Sequence, residues 1–253
     1  MNLIYKIANS IAWRLKRWAD IKMADANEAS RYTDCFATVQ VVNKFYRAKR
    51  LCDIGANSGQ WSYVMGQLNS ELEDVVMFEP QAKMIPQLND LVLPCADRHI
   101  YQCALGDSDQ KLMLSGGSPS ASLFEAGDNQ LNYFPGSVGE EGEVVEVRVL
   151  DDIYRKDNLD YPDVIKMDVQ GYELNVLMGA KEVLAKAHYL VIEMSLREFY
   201  KGQPPIWKLW RFLEEQQYEM VDHGYELRSR TRPNELLQFD AIFENKRFDS
   251  LGR

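Results

Sequence analysis

The segment Asp53-Ile-Gly55-Ala-Asn57-Ser-Gly59 stands between an apolar run and a helical pattern. Glycines in such a turn let the backbone bend sharply and come close to a ligand. The spacing is G-x-x-x-G. A dinucleotide fingerprint needs G-x-G-x-x-G, and Asn57 and Gln60 occupy its second and third glycine positions. A P-loop needs Gly-Lys-Ser/Thr, which is absent here. A nucleoside ligand without a pyrophosphate fits the turn better. Glu79 points the same way. It closes the next apolar run, 26 residues after Asp53, where a carboxylate can accept both ribose hydroxyls. Together the two features imply an adenosine-containing cofactor at the C-terminal edge of the strands. The competing reading is a plain strand-to-helix turn and a solvated strand-end acid.

The elements around these residues alternate. Strand-like runs fall at 75–79, 99–104, 164–169, 189–194 and 237–243, and helical patterns at 60–68, 83–91, 172–186 and 206–216. Short apolar strands alternating with helices predict a doubly wound, Rossmann-like α/β sheet, mainly parallel with its last strand antiparallel. The glycines and prolines of 111–150 break the rhythm, and 144–150 alternates like one strand of a hairpin. This stretch is expected to be a β-hairpin insertion near the mouth of the site. Helical patterns at 1–22 and 27–48 precede the first strand. The expected organisation is an N-terminal helical segment (1–49), a catalytic domain (50–245) and a C-terminal tail (246–253).

The 253-residue chain has 46% apolar and 26% charged residues, the balance of an ordinary globular protein. No apolar run is long enough to cross a membrane as a helix. The net charge of −9 argues against a nucleic-acid partner, which requires a basic surface. The first 22 residues are an exception. Lys6, Arg14, Lys16, Arg17 and Lys22 face only Asp20, a balance of +4 that leaves −13 for the rest of the chain. Ile4, Ile7, Ile11, Leu15 and Trp18 recur at helical spacing, so this segment is a basic amphipathic helix. It suits either a peripheral membrane contact or packing on the fold or on a second copy in a homo-oligomer. Cys35, Cys52, Cys95 and Cys103 form no C-x-x-C, and no signal peptide is visible, so a cytoplasmic location with reduced thiols is expected.

Five ordered segments resemble the FkbM-type family of class I S-adenosylmethionine (SAM) methyltransferases. They are Asp53-Ile-Gly-Ala-Asn-Ser-Gly59, Phe78-Glu-Pro80, Ala104-Leu-Gly-Asp107, Leu150-Asp-Asp152, and Ile165-Lys-Met-Asp-Val-Gln-Gly171 with Val176-Leu-Met-Gly-Ala180. The resemblance spans 50–244 and implies SAM as cofactor, held by Asp53, Gly55, Ala56, Asn57, Gly59, Glu79, Pro80, Ala104 and Asp168. Gln170 departs from it, because the family usually has glutamate there.

Methyl transfer from a sulfonium is an in-line displacement, so acceptor oxygen, methyl and sulfur must be aligned and the acceptor's proton removed. Asp168 and Glu193, at the ends of neighbouring strands, are the candidate catalytic pair. They could serve as base and orienter or jointly hold Mg²⁺; the metal-free reading is preferred, since no third ligand is identifiable. Lys166 is expected on the opposite face of the strand, as an ion pair or snorkelling chain. His99 and His188 are placed at the far edge, and His223 in a turn. Trp61, Tyr133, Phe134, Tyr200, Trp207 and Trp210 fall in segments that should overhang the site, with Trp207 and Trp210 read as core packing. The resulting expectation is O-methylation of a sugar or glycan hydroxyl. Lipid or polyketide hydroxyls, and a weakly active SAM-binding adaptor at a membrane, are the alternatives.

Overall fold

A computed structural model describes residues 26–95, 97–116, 120–134, 142–229, 231–232 and 234–251; the amphipathic segment 1–22 lies outside them. The chain runs α1 (Ala26–Phe45), β1 (Arg50–Ile54), α2 (Gln60–Leu68), β2 (Asp74–Phe78), α3 (Ile85–Asp90), β3 (Asp97–Tyr101), β4 (Ala104–Leu105) and β5 (Gln110–Leu114). It continues through α4 (Asp128–Tyr133), β6 (Glu143–Arg148), α5 (Leu150–Lys156), β7 (Val164–Met167), α6 (Glu173–Met178) and α7 (Lys181–Lys186). Last come β8 (Tyr189–Ser195), α8 (Ile206–Glu215), β9 (Tyr218–Arg228) and β10 (Leu236–Asn245).

Seven strands form one sheet in the order β3-β2-β1-β7-β8-β10-β9. The first five are parallel, while β10 runs antiparallel to both β8 and β9. The order reverses between β1 and β7, the crevice where open α/β sheets take their ligands.

Strand alternation splits the core between two faces. On one, Leu51, Val75, Met77, Val164 and Val191 pack with Val39, Val42 and Val64 of α1 and α2. On the other, Cys52, Ile54, Val76, Ile165 and Ile192 meet Ile153, Val176, Leu184 and Leu213. Each such aliphatic side chain contributes about 1.5–3 kcal/mol when fully buried. The first face is thus closed by α1, which crosses β9 closely. A Cβ on Gly224 would lie only 2.2 Å from Thr38 Oγ1. Thr38 donates to Asp240 Oδ2 at 2.6 Å and accepts from the Tyr225 N–H at 3.1 Å.

One expectation changes, and the insertion and the edge strand add detail beyond it. The helical pattern at 172–186 is two helices, parted at Gly179, where a Cβ would be 2.0 Å from the Gly106 carbonyl oxygen. The expected hairpin insertion is the antiparallel β5–β6 pair; its connection carries α4, and β4 joins β6 as a third strand of the small sheet β4-β6-β5. The long edge strand β9 has no alternating apolar pattern to reveal it, because its side chains are mostly half-buried.

Candidate active site

The crevice at the order reversal opens into a cavity lined by Gly55, Ala56, Asn57, Trp61, Glu79 and Pro80 on its β1–β2 side. Ala104, Leu105 and Leu123 line one wall, and Asp168, Gln170, Glu193, Tyr225 and Asp240 continue it along β7, β8, β10 and β9. Gly55 is set by φ +73° and by crowding: a Cβ there would sit 1.9 Å from the Asp168 carbonyl oxygen. The turn therefore lets the ends of β1 and β7 touch and stay aligned.

Glu79 is 3% exposed. Its Oε2 accepts from the Asn57 N–H at 2.7 Å, and its Oε1 from the Gln81 N–H at 2.9 Å and Gln81 Nε2 at 3.1 Å. Burial raises its pKa above the ordinary glutamate value, against the pull of those donors. An ionised carboxylate has about four acceptor positions, so roughly one is left for a ligand hydroxyl.

Asp53 does not line the cavity. It is fully buried beneath the turn, where Oδ2 accepts from Ser62 Oγ at 2.5 Å and Oδ1 lies 3.5 Å from Lys166 Nζ. Gly59 also stands back from the cavity. Its N–H donates to the Ala56 carbonyl at 2.7 Å, and its α-carbon is packed under Leu91 and Leu88 of the α3 region.

Lys166 corrects the expectation of an opposite face. Residues two apart in a strand share a face, and Lys166 points to the same side as Asp168. Its Nζ donates to the Gly55 carbonyl at 2.9 Å and lies 4.0 Å from Asp168 Oδ2. Burial lowers its pKa, but the carboxylates of Asp53 and Asp168 more than reverse this and hold it above the usual lysine value. It is a charged strut under the turn.

Asp168 follows β7, and Asp168 Oδ1 accepts from Gln170 Nε2 at 2.6 Å. Glu193 lies one position beyond the Met167–Ile192 pair, beside Asp168, and Glu193 Oε1 accepts from Gln238 Nε2 at 2.9 Å. Burial, then the neighbouring Asp168, Glu173 and Asp240, raise Glu193 well above the ordinary glutamate range. Among the described residues, no three His, Cys, Asp or Glu side chains converge as a metal-binding group.

Residues 53–220, more than half of the chain, match the Methyltransferase FkbM domain. The chain belongs to this methyltransferase family. The 2-O-methyltransferase NoeI of Sinorhizobium fredii (strain NBRC 101917 / NGR234) is 29% identical over 169 residues, covering 62% of this chain and 67% of NoeI. Two solved structures are also similar. The FkbM methyltransferase of Methylobacillus flagellatus KT matches with a TM-score of 0.46 and 18% identity, over 77% of this chain. This chain spans only 44% of that protein. The SAM-bound magnesium protoporphyrin IX methyltransferase (ChlM) of Synechocystis PCC 6803 matches with a TM-score of 0.46 and 10% identity, over 85% of this chain and 77% of that one.

As a SAM-dependent methyltransferase, this FkbM-family chain has a cradle whose chemistry suits the cofactor. Glu79 offers a hydroxyl acceptor, the Ala104–Leu105 wall is apolar, and Trp61, 4% exposed, brings a buried indole Nε1 with no partner among the described residues. Trp61 therefore lines the cavity, and Tyr200 is buried beside Gln170. Tyr133 and Phe134 instead pack near Phe199, at 6.2 and 6.3 Å between ring centres.

Trp210 packs edge-on against Phe243 as expected, but Trp207 is 58% exposed. The buried stripe of α8 runs through Leu209 and Leu213, and Trp207 falls off it. His223 sits within β9, with Nε2 2.8 Å from Glu226 Oε1, and not in a turn. His188 stacks between Tyr46 and Phe248 at the far edge, and His99 lies in β3. Gln81, Tyr225 and Asp240 were not foreseen. Gln81 follows the Glu79–Pro80 pair closely enough to have been suspected, but the other two depend on the β9–β10 register.

Proposed function

We propose that this chain is an O-methyltransferase acting on a sugar or glycan hydroxyl, with Asp168 as general base. The observation that supports it is the continuity of one cavity from Glu79, at the cofactor end, to Asp168 and Glu193. Bound SAM would supply an electrophilic methyl on a sulfonium. Gly55, Ala56, Asn57 and Glu79 would hold SAM, with Pro80 and Ala104 beside it and Asp53 and Gly59 supporting the turn. Asp168 would accept the proton of the acceptor hydroxyl. Glu193, whose pKa is raised well above the ordinary range by burial and the neighbouring carboxyls, orients the hydroxyl.

The sugar acceptor draws on the likeness to a protein described as a 2-O-methyltransferase. At the acceptor end, Asp168, Gln170, Glu193 and Asp240 offer hydrogen-bonding groups to a polyol, beside apolar lining from Leu105, Leu114 and Leu123. A cytoplasmic setting fits four cysteines, none of which is in a disulfide. No described helix is long and apolar enough to cross a membrane.

The test is methyl transfer from labelled SAM to a panel of monosaccharides, nucleotide-sugars and glycans, with and without EDTA. Transfer to a sugar hydroxyl is expected, unaffected by EDTA. Asp168→Asn should lower turnover about 10²–10⁴-fold with SAM affinity retained. Wild-type turnover in that variant refutes the base.

A further inference from the structure

Residue 170 is built with unusual care for a side chain at the rim of a cavity. Its φ is +56°, a left-handed conformation that non-glycine residues rarely take. Three contacts hold it there. Its carbonyl accepts from Ser122 Oγ at 2.6 Å, its Oε1 accepts from the Tyr200 hydroxyl at 2.6 Å, and its Nε2 donates to Asp168 Oδ1 at 2.6 Å. The turn is braced on both sides by Glu173 Oε1, which accepts from the Val169 N–H at 3.2 Å and the Gly171 N–H at 3.1 Å.

The sense of the amide follows from these partners. Reversed, it would set its carbonyl oxygen against a carboxylate oxygen at 2.6 Å, so the Nε2 must face Asp168. Tyr200 donates to the other end and locks it. Among the described residues, this is the only hydrogen bond to the Asp168 carboxylate.

We infer that Gln170 is a positioning residue for Asp168: its locked amide occupies one carboxylate oxygen, favours the ionised form, and leaves the other oxygen for the reacting hydroxyl. The inference rests on the reading of Asp168 as base. An N–H held against a carboxylate favours its charge. Glu193 and Glu173 are neighbouring carboxyls, and Lys166 Nζ lies 4.0 Å from Asp168 Oδ2. The Lys166 ammonium is itself nearer Gly55 O and Asp53 than Asp168. A glutamate in place of Gln170 would bring a second carboxylate to hydrogen-bond distance, and the two would share one proton.

The test follows the Asp168 carboxyl by carbon NMR in protein labelled at aspartate, the signal being assigned by its loss in Asp168→Asn. In Gln170→Glu the titration midpoint of Asp168 should rise by about one to two pH units. The acid limb of the rate profile, measured with a sugar from the labelled-SAM panel, should rise with it. Gln170→Met should lower kcat about tenfold near neutral pH with unchanged SAM affinity, and part of the loss should recover as pH is raised. Tyr200→Phe, which frees the amide without touching Asp168, should shift both readouts in the same direction by less. It also decides the matter if Gln170→Glu fails to fold. An unmoved Asp168 titration in folded Gln170→Glu, or in Tyr200→Phe when the former does not fold, overturns the inference while Asp168→Asn remains inactive. Full activity in Asp168→Asn would remove the base reading, and the inference with it.

Discussion

Three carboxyl groups, Asp168, Glu193 and Asp240, line the strand ends with one ammonium, Lys166, and their surroundings give each a different task. Lys166 is spent on the Gly55 carbonyl and Asp53, so it holds the turn and not a ligand. Burial and the neighbouring Asp168, Glu173 and Asp240 raise Glu193 well above the ordinary glutamate range, and the proposed mechanism gives proton removal to Asp168. On the cofactor side, Glu79 has two tasks, since its carboxylate ties Asn57 to Gln81 as well as offering an acceptor to a ligand. Glu79→Ala is therefore expected to weaken SAM binding by about 2 kcal/mol or more, through the lost charge-assisted contact and the slackened Asn57 turn. Calorimetry measures this. SAM affinity equal to wild type would remove Glu79 from the cofactor site.

The elements carry the site through two crowded turns. At the first, the ends of β1 and β7 touch at Gly55, and the atom that excludes a side chain there is the Asp168 carbonyl oxygen, not a ligand. Gly55→Val should accordingly cost about 3 kcal/mol or more in folding, beyond any loss of SAM affinity, and denaturant unfolding will show it. A variant as stable as wild type would contradict the contact. At the second turn, Glu173 is buried while bracing residues 169–171, and burial pushes its carboxyl up to about 7 from an ordinary 4.5. The folded protein thus keeps a proton that the unfolded chain releases. Stability from this group is whole below pH 4.5 and is lost as pH rises through about 7. Glu173→Gln retains the accepting Oε1 without the charge. It should lose less stability between pH 5 and pH 8, by on the order of 3 kcal/mol relative to wild type. Parallel pH dependences in the two proteins would show that Glu173 does not titrate this way.

Across the whole molecule, charge is divided unevenly. The first 22 residues hold +4 and the remainder −13. A basic amphipathic segment can lie among anionic headgroups with its apolar stripe inserted, and α1, which follows it in the chain, forms one wall of the cavity through Cys35 and is hydrogen-bonded at Thr38. A membrane contact there would bring the site to lipid-linked glycans. Full-length protein should sediment with vesicles rich in anionic lipid at low salt and be released at high salt, whereas protein lacking residues 1–22 should stay in solution. Full-length protein left in the supernatant at low salt would refute the contact and leave packing on the fold or on a second copy as the reading of that segment.

The sequence by itself determined the class of sheet and the turn and acid that line one end of the cavity. Apolar runs of strand length, the Gly55 turn and the acid at Glu79 are local signals, and β1 and β2 with their turns lie close together in the chain. The acceptor end was decided by tertiary structure. Asp240 comes beside Glu193 only through the antiparallel β8–β10 register, and Tyr225 arrives on an edge strand without alternation. Tyr200 reaches Gln170 across 30 residues. Asp53 and Lys166 mark the boundary between the two kinds of information. Their positions were legible, but their tasks depend on which charges the fold sets against them. Local spacing encodes backbone shape, because that is fixed by neighbours in sequence. The protonation and aim of a buried side chain are fixed by neighbours in space.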